Sequence, residues 1–138
     1  MRRALLHIIP LAVYMAVIFV ASIRPMPGPG VDQGDKVLHF LAYAVMGWLT
    51  VRALFPLPSP PGAGGAGGGP VQGPPRWLAP LSVGATFSYG ALIEVVQSFV
   101  PSRTGDPLDA LANGLGGVTG VYACIRVMRL FRARTSQG

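Results

Sequence analysis

The sequence predicts an all-α fold, a polytopic membrane protein built as a bundle of four transmembrane helices, and three observations predict it. Only 12% of its 138 residues are charged while 51% are hydrophobic, whereas a soluble domain carries roughly a quarter charged residues. The mean hydropathy is +0.49, a balance that suits lipid rather than water as the main solvent. Four apolar stretches, each of about 20 residues, match a hydrocarbon core about 30 Å thick.

The first span runs from about 4 to 23, preceded by Arg2 and Arg3. A secretory signal peptide is the rival reading, with Val20-Ala21-Ser22 as its cleavage site. The stretch exceeds the roughly 7 to 15 apolar residues of such a peptide, which favours retention as a helix. Arg24 followed by Pro25 marks its end.

The second span runs from about 37 to 55, with His39 and Arg52 near opposite ends, where polar tips can snorkel to the interface. The third runs from about 77 to 99. It opens on Trp77, an interfacial residue type, carries Glu94 as its one formal charge and stops before Pro101. The fourth runs from about 107 to 130, with Pro107 in its first turn and an arginine-rich tail (Arg126, Arg129, Arg132, Arg134). Between spans two and three, residues 56–76 are so rich in proline and glycine that they read as a flexible tether. The two halves of the chain share no polar spacing, so no internal repeat is expected.

Basic residues favour the cytoplasmic side of short loops. Placing Arg2, Arg3, Arg52, Arg76 and the tail arginines there puts both termini in the cytoplasm. Arg24, Lys36 and Arg103 then lie outside, and all five acidic residues (Asp32, Asp35, Glu94, Asp106, Asp109) fall at or near the same outer end. The net charge of +6 is spread along an apolar chain, without the basic patch and interleaved aromatics of a nucleic-acid surface. Cys124 is the single cysteine, so an intrachain disulfide and a cysteine metal site are both excluded.

The polar residues inside the spans recur at helical spacing. Asp35, His39, Tyr43 and Gly47 share one face of the second helix, Glu94 and Gln97 one face of the third, and Asp109 and Asn113 one face of the fourth, followed by Gly116 and Gly120. That glycine pair is a small-xxx-small motif suited to close helix approach. With antiparallel neighbours the three stripes meet at similar depth below the outer surface, capped by the 102–106 loop. A carboxylate facing hydrocarbon costs at least about 2.5 kcal/mol, so these groups are expected to face one another, in a pocket or a bonded cluster.

The same residues carry a family resemblance. Asp-Lys-Val-Leu-His-Phe-Leu-Ala-Tyr (35–43), Glu94-Val-Val-Gln97, Pro101-Ser-Arg103 and Asp109-Ala-Leu-Ala-Asn113-Gly-Leu-Gly116 occur in that order. Together they resemble the VanZ-like family of small bacterial membrane proteins over roughly 23–120. The resemblance implies a single VanZ-like transmembrane domain over 1–138, in a family named for a protein associated with resistance to the glycopeptide teicoplanin. It implies no particular reaction. The family-like positions are Asp35, Lys36, His39, Tyr43, Glu94, Gln97, Arg103, Asp109 and Asn113, and these are the candidate ligand-binding residues. The Pro/Gly tether and Asp106-Pro107 depart from the family pattern without disturbing a matching motif.

Each candidate also has a plain structural reading. His39 could act as a general base or nucleophile oriented by Asp35, or could be a neutral histidine bonded across helices. Glu94 could accept a proton, or could pair with Arg103 or Lys36. Lys36 and Arg103 could grip a phosphate or carboxylate, or could only balance the acids. Asp109 and Asn113 could cap the fourth helix while bonding to the third. Tyr43 reads as a packing residue with a bonded hydroxyl, and His7 and Tyr14 read as packing residues. Glu94, Asp109 and His39 could hold a divalent ion, but no motif has the spacing of a dedicated metal site, so neither metal nor cofactor is expected.

Three functional readings follow. In the first, a cell-envelope protein binds an anionic or polar envelope molecule in an outward-facing pocket, such as a lipid-linked headgroup or a glycopeptide-type ligand. The second is a membrane enzyme acting on such a headgroup through His39 with Asp35 or Glu94. The third is a structural bundle whose polar groups satisfy one another. Membrane lipids are the expected surroundings, nucleic acid is not an expected partner, and the oligomeric state is open.

Overall fold

In lipid the backbone must satisfy its own hydrogen bonds, which leaves the helix as the natural form for these apolar stretches. The computed structural model describes residues 2–24, 33–55, 73–100 and 107–135, and they are helical throughout apart from short turns. Four helices follow in chain order: α1 (Arg2–Ile23), α2 (Gln33–Leu54), α3 (Leu78–Gln97) and α4 (Pro107–Thr135). All four are long and apolar enough to cross a membrane, as expected. Residues 56–72 of the tether, together with Asp32, Arg103 and Asp106, lie outside the described residues.

Three helices are longer than their apolar stretches, α1 by the two arginines, Arg2 and Arg3, that precede its span. α2 begins at Gln33, ahead of the expected 37, and α4 continues to Thr135, beyond the expected 130. Hydropathy marks only where a helix contacts hydrocarbon, whereas backbone hydrogen bonding carries on through the polar residues of the interface. At 29 residues, α4 is about 44 Å long, which exceeds a hydrocarbon core of about 30 Å. α3 is shorter than expected and closes at Gln97 in a turn, where the Ser98 hydroxyl donates to the Val95 carbonyl at 2.7 Å.

Helices consecutive in the chain run antiparallel, which leaves α2 and α4 parallel, and α2 lies at the centre, packed against α1, α3 and α4. α1 touches α2 and α3 but, among the described residues, not α4. One hydrophobic cluster (Ile18, Tyr43, Met46, Ile93) joins α1, α2 and α3. A second (Val51, Leu78, Val121, Cys124, Ile125, Met128) closes the opposite end of the bundle, where the Arg132 guanidinium sits 5.4 Å from the centre of the Phe55 ring. Large apolar side chains such as Val13, Leu38, Phe87, Leu111 and Tyr122 point outward, the inverse of a soluble surface.

The α2/α4 contact is the most extensive of the bundle, and its cause is legible atom by atom. A Cβ on Gly116 would run into the Phe40 carbonyl, and one on Gly120 into the Ala44 carbonyl. From the other side, Gly47 approaches the Gly117 carbonyl just as closely. The small-xxx-small motif of α4 therefore lets two backbones meet without side chains between them. This approach brings the polar residues one turn higher within bonding reach.

Candidate functional site

The polar residues of α2, α3 and α4 converge at the end of the bundle where α3 finishes and α4 begins. Asn113, 4% exposed, stands at the centre. Its amide Nδ2 donates to Glu94 Oε1 on α3 at 3.4 Å, a long contact, and its Oδ1 lies 3.0 Å from His39 Nδ1 on α2. The carboxylate only accepts, so the NH2 of Asn113 must face Glu94 and its oxygen must face His39. His39 Nδ1 is then the donor, and in the neutral ring Nε2 is the basic nitrogen. One asparagine thus links three helices and fixes the histidine tautomer.

One turn closer to the helix ends, Lys36 Nζ stands 3.9 Å from Asp109 Oδ1, both groups partly shielded from solvent. Asp109 lies in the first turn of α4, where the positive end of the helix dipole also favours a carboxylate. One turn deeper, Tyr43 lies against Gly90, whose missing side chain makes room for the ring: a Cβ there would stand 3.0 Å from Tyr43 Cε1. Tyr43 is 2% exposed, and its hydroxyl makes no hydrogen bond to protein among the described residues.

Two cavities lie along the α3/α4 seam beside this cluster. The smaller, about 250 Å3, is bordered by Tyr43, Gly90, Glu94, Asn113 and Gly114. The larger, about 470 Å3, runs deeper between Val83, Thr86, Gly117 and Val118. Both include Phe87, Ala110, Asn113 and Gly114 in their walls, so they are lobes of one groove.

The VanZ/LLP1 family model matches residues 2–131. The chain belongs to the VanZ/LLP1 family. No curated protein and no solved structure matches it. Family membership together with the four apolar helices makes it a VanZ-like multi-pass membrane protein.

Of the nine candidate positions in this VanZ/LLP1 chain, His39, Glu94 and Asn113 form one bonded chain, while Lys36 and Asp109 pair beside it. Tyr43, Glu94 and Asn113 border the smaller cavity. Gln97 turns elsewhere: its amide donates to the Ser22 carbonyl of α1 at 3.4 Å, so it ties α1 to the bundle. Arg103 and the side chain of Asp35 lie outside the described residues. The divalent-ion alternative finds no three clustered His, Cys, Asp or Glu side chains among the described residues.

Several participants escaped the sequence reading. The Tyr14 hydroxyl donates to the Ala42 carbonyl at 3.0 Å, and that of Tyr89 to the Met15 carbonyl at 2.6 Å. These bonds hold α1 against α2 and α3. Their acceptors are backbone carbonyls, which no residue type marks in advance. The groove did leave a trace, since Ala110, Gly114 and Gly117 thin one face of α4 opposite Gly90 on α3. Small residues at that spacing signal either close packing or a recess, and only the placement of α3 separates the two.

Proposed function

We propose that this protein is a cell-envelope membrane protein that binds an anionic or polar envelope molecule at the His39, Asn113 and Glu94 chain. Lys36, together with Arg103 as the sequence reading expects, supplies positive charge to the ligand, and Glu94, Asp109 and His39 set the shape and charge of the site. The lipid-linked headgroups of the envelope, or a glycopeptide of the teicoplanin type, have the required polarity, and action on such molecules would connect the site to antibiotic resistance. The arginine distribution supports a topology with both termini in the cytoplasm and the polar site toward the outer side.

The observation that carries this reading is the convergence of ionisable groups from two helices on a single buried asparagine of a third. Groups of this kind are costly within a membrane, and where they persist they mark ligand or ion sites. The same bonding also supports a second reading, in which the chain serves only to hold the helices together.

Two substitutions separate the readings. His39→Ala removes the imidazole, and Glu94→Gln removes charge while keeping an oxygen that can accept from Asn113. Each variant is assayed for folding in detergent and for the sensitivity of cells to teicoplanin and other envelope-directed antibiotics. The binding reading expects folded proteins with altered sensitivity. Lower thermal stability with unchanged sensitivity supports the structural bundle and sinks the site.

A further inference from the structure

The polar site has a tail-shaped extension. The α3/α4 groove starts at Glu94 and reaches down to Val83, a distance of 11 residues by their numbering, or about 16 Å along the helix. It therefore spans about half of a hydrocarbon core about 30 Å thick. Below Glu94 and Asn113 its walls are mainly apolar, and Phe87, Leu111 and Val118 on its rims face outward. An apolar cavity of about 150 Å3 already binds benzene and excludes water, and the deeper lobe alone is about 470 Å3.

Tyr43 narrows what fits. It is 2% exposed on the wall of the upper lobe, and its hydroxyl has no protein partner among the described residues. A buried hydroxyl without a bond is unfavourable, so an occupant offering an acceptor at that depth is favoured over plain hydrocarbon or an apolar helix. Tyr43 lies four residues inward of His39 on α2, about 6 Å deeper. In an ester-linked lipid whose headgroup meets His39, the carbonyl oxygens lie at about that level.

We propose that the α3/α4 groove holds one acyl chain of an ester-linked membrane lipid, its carbonyl accepting a hydrogen bond from Tyr43 and its headgroup reaching the His39, Asn113 and Glu94 chain. The headgroup half rests on the binding reading above, whereas the tail half rests on the groove and the unpaired hydroxyl. The protein thus takes its ligand sideways from the bilayer.

The test uses full-length protein in phosphatidylglycerol vesicles containing a phosphatidylglycerol with a diazirine in mid-chain. After irradiation, crosslinks are expected to concentrate near Phe87 and Val118, above the level at Val13 and Val17 of α1. Gly114→Leu should fill the groove, because a Cβ there meets only the Phe87 ring, at 3.9 Å and 4.0 Å. The groove crosslinks should then fall about tenfold, as for a ligand whose affinity drops tenfold, with those on α1 unchanged. Should circular dichroism show that variant unfolded, Ala110→Leu replaces it.

Crosslinks spread evenly over α1, α3 and α4, crosslinks undiminished by groove filling, or a second copy seated in the groove would each overturn the proposal. Glu94→Gln keeps the two ideas apart. An antibiotic phenotype lost in that variant, with no groove-specific crosslinking in the native protein, leaves the polar site standing and removes the lipid tail. Groove crosslinking with unchanged antibiotic sensitivity does the reverse.

Discussion

Asn113 is the residue on which the polar chemistry turns, because its amide donates to Glu94 on one side and accepts from His39 on the other. Cross-helix hydrogen bonds in membranes contribute about 0.6 kcal/mol on average and up to about 1.7 kcal/mol. Asn113→Ala breaks both bonds and is expected to cost about 1 kcal/mol, read as reversible unfolding in mixed micelles. Asn113→Asp is expected to cost more, since a carboxylate cannot donate to Glu94 and places a second negative charge beside it. An aspartate variant as stable as the native protein would show the amide to be oriented the other way. The convergence of His39, Glu94 and Asn113 was legible in the sequence, because charge in oil must find a partner and the three residues lie at matching depths. The fate of Gln97 was not, since its partner is the Ser22 carbonyl and backbone carbonyls carry no signature in sequence.

At the scale of the helices, the α2/α4 contact depends on missing side chains. A Cβ at position 120 meets the Ala44 backbone, which cannot turn aside as a side chain would, so Gly120→Ala is expected to destabilise the bundle by about 1 to 3 kcal/mol. Gly84 is the matched control, with nothing within 4 Å of its would-be Cβ. Gly84→Ala should be neutral or stabilising, because alanine is favoured over glycine in helices by about 0.8 to 1 kcal/mol. Equal losses at the two positions would show the cost to be one of helix propensity, with close packing playing no part. The spacing of Gly116 and Gly120 announced a close approach, but not which helix would make it. That choice depends on how the three helices pack side by side, and the long tether between α2 and α3 leaves it open.

For the molecule as a whole, the span count followed from apolar length, while the helix ends did not, because α2 and α4 continue into polar residues that hydropathy discounts. The proposed topology has a direct check. With Arg103→Cys and Gly65→Cys examined separately, an impermeant thiol reagent applied from outside should label position 103 and miss position 65. The native Cys124 is buried and contributes little background, and the reverse pattern would invert the bundle. The pairing of α2 with α4 also bears on biogenesis. The residue that bonds both His39 and Glu94 belongs to α4, which leaves the ribosome after α2 and α3, so a nascent chain halted after α3 holds neither bond. Emergence of α4 is therefore the event that assembles the centre, and a product ending before α4 would sit in the bilayer without it.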